Sequence, residues 1–266
     1  MKKKLSAIIT ILLAAIMALA LTACGGSQPA GGDAPAPSGN DAASAAGGKL
    51  IMATNAEFPP YEFKEGDSFA GIDVEIAGAI ANKLGLELEI ADVEFGSIIG
   101  GVQSGKFDIG MAGMTVTEER LQSVSFSTSY ATGIQAIVVK EGSEITGPDT
   151  LTGHIIGVQA DTTGDIYCSG DFGEENVVPY KTGADAVQAL ITGKVDCVVI
   201  DNEPAKSYVA ANAGENLKVL DTAYAEEQYA IAINKDNTEL LDKINTALDE
   251  LTKDGTISEI VAKYIG

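Results

Sequence analysis

Histidine and cysteine are scarce in this 266-residue chain. It contains one histidine, His154, and three cysteines, Cys24, Cys168 and Cys197. These residues lack the spacing of a zinc or iron–sulfur site, so we expect neither a metal nor a cofactor. A disulfide between Cys168 and Cys197 stays open, because an extracellular location would permit it whereas their apolar neighbours favour buried free thiols.

Positive charge is also in short supply. The chain has 17 lysine and arginine residues against 38 aspartate and glutamate residues, which gives a formal net charge of −21. This acidity argues against nucleic acid as a partner. It would also repel an anionic lipid surface, so attachment to a membrane would have to come from a lipid or a protein partner.

A long apolar run lies near the N-terminus. Residues 5–21 are almost entirely apolar and follow residues 1–4 (MKKK), a combination typical of an export signal. The run ends at residues 21–24 (LTAC), which resembles the cleavage site of bacterial lipoproteins, where the cysteine becomes the first residue and carries a lipid. We therefore predict a signal peptide at 1–23 and lipidation of Cys24. The alternative is an uncleaved membrane anchor, since about seventeen apolar residues is the lower limit for a span.

The segment after the apolar run has no large apolar residue. After the cysteine, residues 25–48 contain mainly Gly, Ala, Ser, Pro, Asp and Asn. Such a composition cannot bury a core, so we predict that residues 24–48 form a lipidated, disordered linker. A Gly-rich coil of about 25 residues spans roughly 25 to 30 Å. We expect an extracytoplasmic protein that is anchored to the cell membrane by the lipid on Cys24.

From Lys49 onwards, strand and helix patterns alternate as in parallel α/β sheets. Two passes of this pattern match locally, because residues 104–108 (SGKFD) and 192–196 (TGKVD) both end a predicted helix with glycine and enter a strand. We call these segments the matched turns. They favour two similar lobes, and we assign residues 49–137 plus 230–266 to lobe 1 and 138–229 to lobe 2. Two chain crossings between the lobes would form a two-strand hinge.

Polar residues follow several predicted strands. In α/β sheets, ligands bind beyond the carboxyl ends of the strands. The segments that meet this condition are residues 55–61, 113–120 and 161–164, together with Asp201. We therefore expect a ligand cleft between the lobes.

Arg120 is the only arginine in the chain. It follows Thr117, a predicted helix N-cap, and Glu118 and Glu119, which suit the positive end of a helix. Arginine in this first turn is unfavourable unless it recruits an anion, and its planar fork fits a carboxylate. The alternative is an exposed arginine that pairs with Glu119 or another neighbour.

Four ordered motifs and a dipeptide carry a resemblance to a known family. They are residues 53–63 (ATNAEFPPYEF), 71–77 (GIDVEIA), 112–120 (AGMTVTEER), 157–164 (GVQADTTG) and 200–201 (ID). Over residues 49–266 the chain resembles the polar amino-acid family of bacterial solute-binding proteins. The resemblance implies a type II periplasmic-binding-protein-like α/β fold and a monomer that delivers a free amino acid to an ABC permease and its ATPase.

The resemblance also implies roles for residues of the cleft. Arg120 would bind the α-carboxylate of the ligand, helped by backbone N–H groups near Thr115 and Thr163. The carbonyl of Gly113, the hydroxyl of Thr115 and the carboxylate of Asp201 would bind the α-ammonium group. A zwitterion needs such a fixed cation and anion in a dry site. The alternative role for Asp201 is to cap the helix that follows it.

Other expected ligand contacts carry no charge. Phe58 and Phe95 lie where the family places apolar walls, although an isolated phenylalanine is more often a core residue. Asn55 often aligns with aspartate in relatives that select basic side chains, so its neutrality argues mildly against a strict lysine or arginine receptor. Thr162 completes the expected contacts, and its placement depends on Asp161, where relatives commonly have glycine.

An enzyme and a sensory module are the alternative functional classes. The fold family includes dehydratase-like enzymes, but an acid–base enzyme needs a carboxylate or histidine over the substrate. His154 lies in a predicted turn, which leaves Glu57 as the only cleft candidate. A sensory ligand-binding module is the other class, and it usually continues into a signalling segment. We expect a binding protein and not an enzyme.

Overall fold

The structure is a computed structural model, and it describes residues 48–265. The predicted signal peptide, Cys24 and all but the last residue of the predicted linker lie outside these residues. The eight helices of the described part are α1 (Ile72–Leu84), α2 (Ser97–Gln103), α3 (Arg120–Ser123), α4 (Thr163–Phe172), α5 (Gly183–Ile191), α6 (Asn202–Ala211), α7 (Thr238–Lys253) and α8 (Thr256–Ile265). Within residues 48–265, no helix is both long enough and apolar enough to cross a bilayer.

The strands of the same part form three sheets. They are β1 (Lys49–Thr54), β2 (Glu57–Phe58), β3 (Glu62–Glu65), β4 (Ser68–Ala70), β5 (Glu87–Asp92), β6 (Ile109–Gly110), β7 (Val124–Phe126), β8 (Ala131–Lys140), β9 (Ile156–Gln159), β10 (Val177–Tyr180), β11 (Cys197–Asp201), β12 (Leu217–Val219), β13 (Ala225–Tyr229) and β14 (Ala232–Asn234). Strands β2, β3 and β4 form the smallest sheet.

The first large sheet has the order β5-β1-β6-β14-β7. Strand β1 runs parallel to β5 and β6, whereas β14 runs antiparallel to β6 and β7. Successive side chains of a strand point to opposite faces. Accordingly, Leu50 and Met52 of β1 join the core beneath α1, α7 and α8, whereas Ala53 joins the core beneath α2. Helices therefore cover both faces of this sheet.

The second large sheet has the order β10-β9-β11-β8-β12, and β13 also pairs with β8. Strand β9 is parallel to β10 and β11, and β8 is antiparallel to β11, β12 and β13. Alternation again divides the core, because Cys197 and Val199 of β11 share a cluster with Cys168 of α4. Val198 of β11 faces the side of α5 and α6.

The matched turns have the same hydrogen bonds in both sheets. An oxygen of the Asp108 carboxylate accepts the backbone N–H of Ile51 at 2.8 Å. The carboxylate of Asp196 accepts the backbone N–H of Ile155, also at 2.8 Å. Each aspartate thereby fixes the neighbouring chain where a parallel strand begins. The short sequence repeat thus corresponds to one structural device that occurs twice.

The chain crosses between the two large sheets at residues 127–130, between β7 and β8, and at 230–231, between β13 and β14. Strand β8 pairs along its length with strands of the second sheet. The lobe boundary expected at residue 137 falls inside this strand, because a continuous apolar run does not show which sheet it joins. The crossings bring the carboxyl ends of β1, β9 and β11 to one cleft.

Candidate functional site

A cavity of about 300 Å³ lies between the two large sheets. It is lined by Asn55, Phe58, Glu62, Phe95, Ala112, Gly113, Thr115, Arg120, Gln159, Thr162, Thr163 and Asp201. All nine ligand contacts expected from the sequence line it.

Arg120 opens helix α3 and is buried, with 8% of its surface exposed. The hydroxyl oxygen of Thr117 accepts its backbone N–H at 3.1 Å, so Thr117 caps this turn although the helix begins only at Arg120. The guanidinium donates to the carbonyl of Thr115 at 2.8 Å and, across the cleft, to the carbonyl of Asp161 at 3.2 Å. It lies 5.2 Å from the ring centre of Phe95. Burial lowers the pKa of Arg120, which marks an incompletely solvated cation suited to an anionic ligand group.

Asp201 is the last residue of β11 and is also buried. Its carboxylate accepts hydrogen bonds from the phenol of Tyr229 and, at 2.8 Å, from the side-chain amide of Gln135. Burial and the charge of Glu227 raise the pKa of Asp201 to about 7. The carboxylate makes no side-chain cap for helix α6, so the alternative capping role is not seen.

Thr115 and Gly113 belong to the cavity wall that follows strand β6. The hydroxyl of Thr115 donates to Glu227 at 2.9 Å. Gly113 has φ +53°, and a Cβ atom there would lie 2.9 Å from the ring of Phe58. Its N–H donates at 2.8 Å to Asp73, so its peptide plane is held from behind. Glycine is therefore required at position 113 both for its backbone conformation and for close packing.

Glu62 and Asp73 form a buried carboxyl pair beneath this wall. One oxygen of each, Glu62 Oε2 and Asp73 Oδ1, has no hydrogen-bond partner among the described residues if both groups are ionised. Burial and the charge of Asp73 raise the pKa of Glu62 well above its usual value, and burial raises that of Asp73 to about 7. We infer that Glu62 keeps its proton and donates it to Asp73, which also accepts from Tyr130 at 2.8 Å.

The two amides of the cavity join its walls. Gln159 donates to the side-chain oxygen of Asn55 at 2.9 Å, and Asn55 donates to the carbonyl of Val93 at 3.0 Å. The ring of Phe58 lies beside Tyr61, which is buried and stacks edge-on with Tyr229. The amide pair and the aromatic rings make this end of the cavity polar but uncharged.

Helix α4 begins at the cavity with Thr163. The hydroxyl of Thr162 accepts the N–H of Asp165 at 3.4 Å and donates to the carbonyl of Gln159 at 2.8 Å, so it is a true N-cap. Asp161 has φ +64°, the left-handed conformation that its position requires. The free N–H groups of a helix N-terminus attract anions, which favours a carboxylate at this point.

Glu57 and His154, the alternative catalytic residues, lie outside the cavity. Glu57 is exposed and does not line the cavity. His154 precedes β9, and its ring nitrogen lies 3.6 Å from Asp196. Cys168 and Cys197 are buried free thiols, and burial raises the pKa of each to about 12. Among residues 48–265, no group of three or more acidic, histidine or cysteine side chains could hold a metal ion.

Sequence reasoning missed the buried polar residues that support the site. Glu62 and Gln159 line the cavity, whereas Gln135 and Glu227 lie behind it. Gln159 lies within the motif at residues 157–164, but no ligand contact was predicted for it. The sequence pattern gave no signal for Glu227, because it follows another glutamate and its partners are 92 and 112 residues away.

Two lobes that enclose a small polar cavity, with a cation and an acid facing it, define a receptor for a small solute. The family model of the bacterial extracellular solute-binding proteins, family 3, matches residues 50–266, so the chain belongs to this family. The predicted family, the two-lobe type II fold and the absence of an enzymatic role are confirmed. Members of the family act outside the cytoplasm.

Individual relatives are similar over nearly the whole chain. The arginine-binding extracellular protein ArtP of Bacillus subtilis is 36% identical over 262 residues, which cover 96% of each chain. A probable histidine-binding protein of Neisseria gonorrhoeae is 31% identical over 94% of this chain and 92% of its own. An ancestral arginine-binding protein bound to glutamine superimposes with a TM-score of 0.79 at 41% identity, covering 82% of this chain and 98% of that structure.

Proposed function

We propose that this protein captures a free amino acid outside the cytoplasm and delivers it to an ABC-type importer. The observation that carries this proposal is the pairing of buried Arg120 with buried Asp201 in one small cavity. A zwitterion presents a carboxylate and an ammonium group a few ångströms apart, so it compensates both charges at once. A ligand with only one of these groups would leave a buried charge uncompensated.

The α-carboxylate binds Arg120 and the N-terminus of α4. The two contacts of the guanidinium to protein carbonyls use only part of its N–H donors, so others remain for a bidentate bond. Backbone N–H groups near Thr115 and Thr163 complete this end of the site. Thr162 fixes the first turn of the helix and thereby orients these donors.

The α-ammonium group binds on the other side of the cavity. Its acceptors are the carbonyl of Gly113, the hydroxyl oxygen of Thr115 and the carboxylate of Asp201. Each has a second partner that fixes it, namely Asp73 behind Gly113, Glu227 behind Thr115, and Gln135 behind Asp201. Such preorganisation reduces the entropy cost of binding.

The ligand side chain extends between Phe58 and Phe95 towards Asn55 and Gln159. Two amides and the neutral Glu62 offer hydrogen-bond acceptors here, which suits a side chain that ends in N–H groups. Relatives are named for arginine, and one ancestral protein was solved with arginine and with glutamine. We therefore expect arginine or glutamine, in spite of the neutral Asn55.

Delivery requires that the lobes close over the ligand and open again at the importer. We propose lobe 1 and lobe 2 as rigid parts and the two crossings as the hinge, with Arg120 to Asp161 and Gln159 to Asn55 as contacts that hold the closed form. The importer consists of a permease and an ATPase, and the receptor acts as a monomer. The permease recognises the closed conformation, which forms when a ligand is bound.

A thermal-shift screen of the purified protein against the standard free amino acids tests the proposed function. At a hundredfold excess over the dissociation constant, a ligand stabilises the folded state by about 2.7 kcal/mol, so a true ligand gives a plain rise in melting temperature. We expect a rise with arginine or glutamine and none with their amides at the α-carboxyl group. If no amino acid raises the melting temperature after unfolding and refolding to remove bound ligand, the proposal fails.

We further propose that a signal peptide at 1–23 is removed and that a lipid on Cys24 holds the protein at the membrane. Support comes from the residue pattern of this segment. Replacing Cys24 with serine should move the protein from the membrane fraction to the medium, as measured by immunoblotting of both fractions, whereas Cys168→Ser should remain bound. Membrane retention of the Cys24 variant would instead favour an uncleaved anchor.

A further inference from the structure

A second buried carboxylate, Glu227, lies directly behind the cavity. It is on β13, next to the crossing to lobe 1, and only 4% of its surface is exposed. It does not line the cavity, so the contacts proposed for the ligand do not include it. Burying a carboxylate costs free energy unless hydrogen bonds or an opposite charge compensate it. The hydrogen-bond partners of Glu227 therefore indicate its role.

Two donors meet at the same oxygen of Glu227. The hydroxyl of Thr115 donates to Oε2 at 2.9 Å, and the side-chain amide of Gln135 donates to it at 3.1 Å. The same nitrogen of Gln135 donates to Asp201 at 2.8 Å. Gln135 therefore separates two carboxylates that would otherwise repel each other, and it holds Glu227 in place.

The bond to Glu227 decides what the hydroxyl of Thr115 can do. A threonine hydroxyl has one hydrogen to donate and two lone pairs to accept with. Because its hydrogen points to Glu227, its oxygen can only accept a hydrogen bond within the cavity. An ammonium group offers N–H donors, whereas a carboxylate offers none, so this orientation admits one end of a zwitterion and rejects the other.

We propose that Glu227 is a positioning residue, which fixes the Thr115 hydroxyl as an acceptor for the α-ammonium group of the ligand. This inference rests on the proposed function. Thr115 belongs to lobe 1 and Glu227 to a strand of the second sheet, and the backbones of Thr115 and Tyr229 form a bridge beside them. The acceptor is therefore oriented where the two lobes join.

Replacement of Glu227 by methionine and by glutamine separates this role from a general structural one. Methionine matches the volume of glutamate but cannot accept the hydrogen of Thr115. Glutamine can still accept it through its oxygen, which Gln135 would hold in the same place. At about pH 8, we expect Glu227→Met to weaken binding of L-arginine or L-glutamine about tenfold and Glu227→Gln to change it by less than about threefold.

A double-mutant cycle measures whether Glu227 acts through Thr115. Titration calorimetry gives the dissociation constants for Glu227→Met, for Thr115→Val, and for the two changes together. If Glu227 only orients the hydroxyl, the double variant should bind about as tightly as Thr115→Val alone. Binding of the analogues that lack the α-amino group, δ-guanidinovalerate and glutaramate, should be unchanged by Glu227→Met.

The outcomes divide clearly. The role of Glu227 would be overturned if the two single-variant increases in the dissociation constant multiplied in the double variant. It would also be overturned if Glu227→Met weakened binding of the amino acid and of its deaminated analogue equally. Thermal unfolding of each ligand-free variant shows whether it is folded, and Glu227→Gln serves as the folded reference. Failure of the wild-type protein to bind any standard amino acid would instead refute the proposed function.

Discussion

Replacing Arg120 with alanine should weaken amino-acid binding at least about a hundredfold. The guanidinium is the only one in the chain, and it is buried beside the N-terminus of α4. Charge-assisted hydrogen bonds contribute about 1.5 to 3 kcal/mol each, and a bidentate pair to a carboxylate forms two of them. Its loss would leave the ligand carboxylate in a dry site without its cation.

Titration calorimetry of Arg120→Ala, Arg120→Lys and His154→Ala would check this expectation. Lysine keeps the charge but not the planar fork, so Arg120→Lys should fall between the wild-type protein and Arg120→Ala. His154 lies in a turn away from the cavity, so its replacement should leave the affinity unchanged. Retained affinity in Arg120→Ala would contradict the assignment of the α-carboxylate.

The same variant tests closure. Arg120 links the lobes through its bond to the carbonyl of Asp161, and a bound carboxylate would strengthen that link. Small-angle scattering should therefore show that arginine or glutamine makes the wild-type protein more compact and leaves Arg120→Ala unchanged. Equal radii of gyration for ligand-free and saturated wild-type protein would mean that closure is not part of the mechanism.

Much of the fold could be predicted from the sequence because its signals are local. The pattern of residues 238–253 predicts a helix with the bounds that the structure has, since its apolar stripe lies within the segment and Asn237 caps it. The apolar pattern of residues 107–112 predicts a strand, but the strand of the structure is shorter, because only Ile109 and Gly110 pair with neighbouring strands. Strand β8 shows most clearly what local signals do not determine, because its partner residues are 58 or more positions away in sequence and decide which sheet it joins.

The candidate site was predictable where one residue carries a strong chemical preference. Arg120, Asp201 and Gly113 lie in segments that follow predicted strands. The structure brings them into one cavity. The residues behind them were not predictable. The sequence pattern places Gln135 in an apolar strand. Its role is to donate hydrogen bonds to two carboxylates that lie 66 and 92 residues later in the chain.

Binding should also weaken in acid because of Asp201. Its pKa is about 7 in the ligand-free protein, and the ionised form is the one that accepts from the α-ammonium group. A protonated Asp201 must therefore lose its proton before the ligand binds. The affinity should fall as the pH drops below about 7, by about tenfold between pH 8 and pH 6. Asp201→Asn should bind about a hundredfold more weakly and lose most of this dependence.

Asp73 is the necessary control, because its pKa is also about 7 and it holds the N–H of Gly113. If Asp73 were responsible, Asp201→Asn would keep the pH dependence and Asp73→Asn would remove it. The charges that face Asp201 are those of Glu227 and, at longer range, Arg120, and Tyr229 donates to it. Removing one of them, in Glu227→Gln, should lower the pKa of Asp201 and move the loss of affinity to lower pH.

The stability of the ligand-free protein should change with pH in the opposite direction. The pKa of Asp201 is raised from 3.8 to about 7 by folding, so the folded state binds more protons than the unfolded state between these values. The free energy of unfolding therefore falls as the pH rises from about 4 to about 7. Asp73 and Glu62 add to this slope with the same sign, because burial also raises their pKa values. Urea unfolding of the wild-type protein and of Asp201→Asn at about pH 5 and pH 8 isolates the share of Asp201, which should appear as a smaller slope in the variant. Equal slopes would show that Asp201 is ionised throughout, and an affinity that falls in acid would then have to originate at Asp73.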